Sequence, residues 1–390
     1  MIVALKELGD IYTGNTPSKK INDYYDSNDI YFVKPDIISD SEISIISNSN
    51  EYISEKAREK ARIVPKDSIF VTCIGTIGKV GIASDGEFAF NQQINTIKPN
   101  DSIVPKYLAY NLFHSKARLN AISNAPVVPI INKSQFSEFT IKIETDKSKQ
   151  KEIVSTLDLL QSIITHRRTQ LEKLDLLVKS RFVEMFGDPV HNTFQLSTMP
   201  MTNICEIIDG DRGKNYPKQE EFFSKEYCLF LNAKNVTKYG FNFSECLFIT
   251  KEKDAILRKG KLQRGDVVLT TRGTLGNLAF YTKEIPFENI RINSGMVILR
   301  MNRKVINETF FIEQFRMQVD DIKQSIASGS AQPQLPISTM NKINIITPEL
   351  EFQTQFADFV KQVDKSKVAI QKELEKSQML FDSLMQEYFG

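Results

Sequence analysis

The chain has 390 residues, long for a single hydrophobic core and comfortable for two. Its 50 basic and 48 acidic side chains leave a net charge of +2, so a polyanionic partner would be met by local patches and not by an overall field. Four cysteines without CxxC spacing and only three histidines argue against a disulfide framework or a zinc site. No run reaches the ~18 apolar residues of a membrane span, and a cytoplasmic protein with free thiols is expected.

Residues 1–147 alternate short apolar runs with turn signals. Strands are expected at 68–72 and 93–97, and helices at 55–62 and 105–121. Residues 148–189 differ. Gly and Pro are absent from 148–186. Leu157, Ile164, Leu171, Val178 and Met185 stand seven apart, with Ile153, Leu160 and Leu174 interleaved. Arg167 and Arg181 fall in the interleaved series. This is the apolar seam of a coiled coil, and Gly187-Asp188-Pro189 is its stop. Residues 190–350 return to the mixed pattern, with strands expected at 266–271 and 295–300 and a helix at 308–327. Residues 351–390 form a second heptad segment. Val360, Leu374, Phe381 and Tyr388 make one series, interrupted by Lys367. Phe356, Val363, Ile370 and Leu384 make the other, interrupted by Ser377.

The chain is therefore written twice. Leu171-Glu172-Lys173 recurs as Leu374-Glu375-Lys376, and Gly187 as Gly390, both 203 residues on. Gly75-Thr76-Ile77-Gly78 recurs as Gly273-Thr274-Leu275-Gly276. The fold expected is two tandem α/β domains of mixed strand order, separated by two long helices that pair as an antiparallel coiled coil with pseudo-two-fold symmetry. At ~1.5 Å per residue, ~38 helical residues span roughly 55 Å. Against a B-DNA rise of ~3.4 Å per base pair, such a rod would act as a ruler of about one and a half turns.

Motifs for chemistry are missing. The Gly-Thr-Ile-Gly-Lys run would need Gly at Cys73 and Ser or Thr at Val80 to be a phosphate loop, and its second copy has Asn277 in place of the lysine. No amino-methyltransferase, hydrolase or metalloprotease motif is present. Four duplicated loop clusters instead combine glycines, hydroxyls, amides and bases. The first holds Asn15, Thr16, Ser18, Lys19 and Lys20, matched by Arg212, Lys214 and Asn215. The second holds Lys79, matched by Arg272 and Asn277. The third holds Gln92 and Gln93, matched by Arg291, Asn293 and Ser294. The fourth holds Lys133, matched by Gln332 and Gln334. Lysines suit phosphates, arginine pairs bidentately with guanine, and Asn or Gln with adenine. One scaffold with two sets of side chains suits a duplex target made of two different halves.

With the duplication, the Gly-Thr-Ile-Gly turn, the Phe-Gly-Asp-Pro stop and the paired heptads, the chain resembles the specificity subunit of type I restriction-modification enzymes. Thr13-Gly14-Asn15-Thr16-Pro17-Ser18 looks like that family's opening of a first target recognition domain; the second domain departs from it at Asp211-Arg212-Gly213. The resemblance implies target recognition domains at 1–147 and 190–350 that read a bipartite site in double-stranded DNA. It implies a subunit that is not itself an enzyme and binds no cofactor or metal. Two methyltransferase (modification) subunits would bring S-adenosylmethionine, and restriction or motor subunits ATP with Mg. Leu159, Ile163, Leu177, Phe182 and Phe186 would either dock partners or pack on the recognition domains. The alternatives are the specificity subunit of a type IIB-like system and a coiled-coil adaptor that binds no DNA.

Overall fold

The computed structural model describes residues 1–123, 128–326 and 334–390. The chain divides into two compact units, one of residues 1–169 with 370–390 and one of residues 170–369.

In the first unit a five-stranded sheet is built around Ile94–Pro99, flanked by Gly9–Thr13 and Ile69–Thr72. The register places Ile97 between Ile11 and Ile69, so three β-branched side chains meet in the core. Ser44–Ile46 runs parallel to Val80–Ala83 at the edge. A second sheet pairs Ile30–Val33 in parallel with Phe88–Phe90. The expected strands at 68–72 and 93–97 are thus present. The expected helix at 105–121 is two helices, Pro105–His114 and Lys116–Ala121, because Ser115 (ψ 4°) breaks the ladder. The run expected as a helix at 55–62 is a 3-10 segment, Glu55–Lys60. Its one buried side chain is Ala57, too little apolar surface to hold a full α-helical face.

The second unit repeats the plan. Met296–Met301 lies between Cys205–Asp209 and Val267–Thr270, with Leu278–Phe280 beyond. Cys228–Leu231 pairs in parallel with Ile290–Ile292. The helix Glu308–Ile326 covers the sheet, with Phe310, Phe311 and Phe315 fully buried.

Both long helices have 40 residues, Lys147–Phe186 and Leu350–Phe389. Each enters both units. In the first unit, Leu157 and Ile164 share a core with Phe381, Met385 and Phe389, and Ile153, Leu160, Leu374, Leu384 and Tyr388 pack partly buried against it. In the second, Val178, Phe182 and Phe186 share a core with Phe356, Val360 and Val363, flanked by Leu174 and Met185. The stretches there run antiparallel: Asp175 pairs with Lys367 at 2.7 Å, and seven residues further on Phe182 meets Phe356 at 5.3 Å between ring centroids. Leu171 and Ile370 are half-buried. The polar interruptions of the seam have partners. Arg167 donates to Ser377 Oγ at 2.6 Å, so two breaks in the heptads face each other. Gly187 ends the first helix at φ +76°, where a Cβ would meet Thr193 Oγ1 at 2.5 Å.

Candidate nucleic-acid interface

The four loop clusters of the first unit are stitched together by backbone hydrogen bonds. Asn15 N–H donates to Phe90 C=O (3.0 Å) and Cys73 N–H to Gln93 C=O (2.7 Å). Gly75 N–H donates to Pro129 C=O and Ile131 N–H to Cys73 C=O. Thr13–Lys20, Gly75–Lys79, Asn91–Gln93 and Pro129–Lys133 therefore form one continuous edge. Glycine is required at the centre, since a Cβ on Gly14 would sit 2.1 Å from the Asn91 carbonyl oxygen. Side chains reinforce the edge. Thr16 Oγ1 donates to Gln92 Oε1 at 2.9 Å. Asn15 donates to Lys60 C=O at 2.6 Å and accepts from Arg62 N–H at 2.9 Å. Ser18, Lys19, Lys20, Gln92 and Lys133 are exposed and Gln93 is half-buried. Lys79 is half-buried and donates to Pro35 C=O at 3.2 Å.

The second unit uses the same stitching. A Cβ on Gly210 would lie 2.2 Å from the Asn293 carbonyl oxygen. Thr271 N–H donates to Gly295 C=O at 2.8 Å, and Leu335 N–H to Thr271 C=O at 3.1 Å. Arg212 bridges the first and third clusters, donating to Asp209 Oδ1 (3.1 Å) and Ser294 C=O (3.3 Å). Asp211 fixes the loop by accepting from Gly213 N–H and Arg258 N–H, both at 2.8 Å. Those donors hold its carboxyl below the usual carboxylate range. Arg212, Lys214 and Arg272 are exposed; Asn215, Asn293, Ser294 and Gln334 are half-buried. Gln332 lies outside the described residues.

Arg291 and Asn277, both expected readers, also make internal bonds. Arg291 is 5% exposed. Its guanidinium donates to Asp254 Oδ1 at 2.5 Å, Lys259 C=O at 2.7 Å, Asp254 C=O at 2.8 Å and Leu257 C=O at 3.1 Å. It is a strut under the loop 257–260, with four of its five N–H donors spent inside the unit. Asn277 donates to Val236 C=O at 2.9 Å, pinning the neighbouring segment to the glycine turn. Sequence reasoning missed Arg62, which donates to Thr13 C=O beneath the first loop. It also missed the hairpin Val236–Thr237 with Gly240–Phe241, which presents Lys238 and a 75% exposed Tyr239 at its tip. The Lys238-Tyr239-Gly240 turn was the available signal.

Among the described residues no group of three His, Cys, Asp or Glu side chains is placed to hold a metal ion. Burial pushes the thiols of Cys73, Cys205 and Cys228 up to about 12. No described helix is long and apolar enough to cross a membrane.

A family model for the type I restriction modification DNA specificity domain matches residues 1–174 and 196–377. The specificity subunit of the type I restriction enzyme MjaIX of Methanocaldococcus jannaschii is 26% identical, over 98% of this chain and 90% of its own. That of the HindI enzyme of Haemophilus influenzae is 31% identical over 44% of this chain and 39% of its own. A crystal structure of the type I restriction-modification S subunit from M. genitalium superposes with a TM-score of 0.58 at 18% identity, covering 100% of this chain and 96% of that one. At that identity the likeness speaks for the fold.

Proposed function

The chain belongs to the type I restriction-modification DNA specificity family, whose role is DNA recognition, and from that premise we propose how the work is divided along it. The loop edge of residues 1–147 reads one half of a bipartite duplex site and that of residues 190–350 reads the other. The observation that carries this reading is the pair of edges stitched by equivalent hydrogen bonds yet bearing different side chains. Thr16 joins Gln92 in one, and Arg212 joins Ser294 in the other. Equal scaffolds present unequal donors, which suits an asymmetric site.

The exposed bases Lys19, Lys20, Lys133, Lys214 and Arg272 contact phosphate or base edges, with Asn15, Thr16, Ser18, Gln92, Gln93, Asn215, Asn293, Ser294 and Gln334 beside them. Two modification subunits dock on apolar side chains that the long helices leave exposed: Leu159, Leu176 and Leu177 on one, Val368, Met379 and Leu380 on the other. Phe182 and Phe186 are fully buried in the second unit's core and take no part. Those partners supply S-adenosylmethionine, and motor subunits ATP with Mg; this chain contributes recognition and assembly in the cytoplasm. Genome-wide methylation mapping, with and without this gene beside its modification subunit, tests the reading. A two-part adenine motif with a fixed gap is expected, and a methylome unchanged by the gene would refute it.

A further inference from the structure

The second unit carries an open groove of about 690 Å³ beside the Gly273–Gly276 turn. Three lysines line it, Lys234, Lys238 and Lys323, over the buried Val236 and Leu275, and no carboxylate is among the described lining residues. The lysines come from separate elements held at fixed places. Asn277 ties the Val236 segment to the turn. A Cβ on Gly276 would stand 2.2 Å from Val319, so the turn packs directly on the helix that bears Lys323. The acids paired with two of these ammonium groups are exposed to solvent. Lys234 meets Glu245 at 2.9 Å with both side chains over 70% exposed, and Lys323 meets Asp320 at 3.7 Å on its own helix. Lys238 sits 4.7 Å over the Tyr239 ring, with Glu172 and Asp175 as its more distant acids. Exposed pairs of this kind are weak, screened by salt and readily exchanged for a phosphate.

The first unit provides an internal comparison. Its matching turn packs on Lys116, where a Cβ on Gly78 would touch the lysine stem. That lysine is bound to Asp40 at 2.5 Å, and Lys34 is paired with Glu51. The two copies therefore set different side chains around the turn: Lys79 and Lys116 in the first, and Asn277 and Val319 at the matching places in the second, where Lys323 follows one turn further along the helix.

We propose that this groove holds the sugar–phosphate backbone of one DNA strand, with Lys234, Lys238 and Lys323 neutralising phosphates. The proposal rests on the DNA-recognition reading and adds a sequence-independent anchor to the second unit. Each lysine that neutralises a phosphate adds about 0.9 to the steepness with which log K falls against log salt.

The test is titration of a fluorescein-labelled duplex of arbitrary sequence with the full chain, at several salt concentrations. The variants are Lys234→Gln, Lys238→Gln, Lys323→Gln, the triple, and the exposed control Lys304→Gln. Singles are expected to lower the slope by about one, the triple by two to three, and the control not at all. A wild-type chain that binds with a steep slope shared by the triple overturns the groove and leaves the DNA reading intact. Loss of modification-subunit capture in the triple with an unchanged slope assigns the lysines to an acidic protein surface and also overturns it. A wild-type chain that binds no duplex overturns the reading beneath it.

Discussion

Arg291 separates a reader of bases from a strut. It stands in a polar, glycine-flanked stretch where sequence alone suggests contact with guanine, and the structure gives it four internal acceptors at 2.5–3.1 Å. Replacing it by Met removes the buried partner of Asp254, a change that typically costs about 3–5 kcal/mol. The lower end is expected here, because Lys261 still holds Asp254 at 2.5 Å from a partly exposed position. With a urea m-value of about 2–3 kcal/mol/M, the unfolding midpoint should fall by about 1–1.5 M. Replacing both partners, in Arg291→Met with Asp254→Leu, should recover much of that loss, since apolar pairs often match buried ion pairs. The dependence on pH has a definite sign. Burial pushes the Asp254 carboxyl up, but Lys261 and Arg291 outweigh it and hold it below its ordinary value. Its contribution is therefore present above the unfolded pKa of about 3.9 and lost as pH falls through the lower folded value. The Met variant should lose less stability than the wild type over that acid range. Urea melts from pH 7 to 3, with duplex titrations of the same variants, decide the matter. An unchanged midpoint together with relaxed preference at one base pair would refute the strut.

Other tests separate the remaining roles. Phe182→Ala, opening a hole among Phe186, Phe310 and Phe356, should destabilise the second unit by about 3–5 kcal/mol in urea melts. Leu176→Asp with Leu177→Asp, on the exposed face, should leave the melt within about 0.5 kcal/mol yet abolish co-purification with modification subunits; normal co-purification would remove that face from docking. Exchanging residues 1–147 for those of a relative should change one half of the methylated motif, and a change in both halves would contradict the modular division. Four residues inserted after Thr169, matched by four after Ala369, should alter the gap by one or two base pairs with both half-sites kept. An unaltered gap would sink the spacer role.

The repeats, the heptad segments and the core strands were legible because each follows from spacing. Apolar side chains at intervals of seven have one geometric solution, and so do alternating runs between turns. The interruptions were legible as positions and not as partners: nothing in the sequence says that Arg167 will meet Ser377, although both break the seam. The 3-10 segment at Glu55–Lys60 was hidden for a related reason. Its residues favour a helix locally, and only the lack of neighbours to cover more than Ala57 tightens it.

The interface was legible as loops and illegible as side chains. A glycine-rich cluster predicts where the backbone turns, but whether its arginine faces solvent depends on which carbonyls the rest of the chain brings near. Arg212 and Arg291 look alike in sequence; one is exposed, while the other fills a buried socket made by Asp254, Leu257 and Lys259. Lys234, Lys238 and Lys323 show the converse. They lie up to 89 residues apart and belong to none of the four clusters, so only the packing of a hairpin, a turn and a helix makes them one surface. Because the chain carries its scaffold twice, each basic side chain can be weighed against its counterpart: the glycine turn packs on Lys116 in the first unit and on Val319 in the second, and Lys79 of the first turn is replaced by Asn277. The positions where the two copies differ in free charge are therefore where affinity for a polyanion is to be sought. The positions where they differ in uncommitted amides and guanidinium groups are where base preference is to be sought.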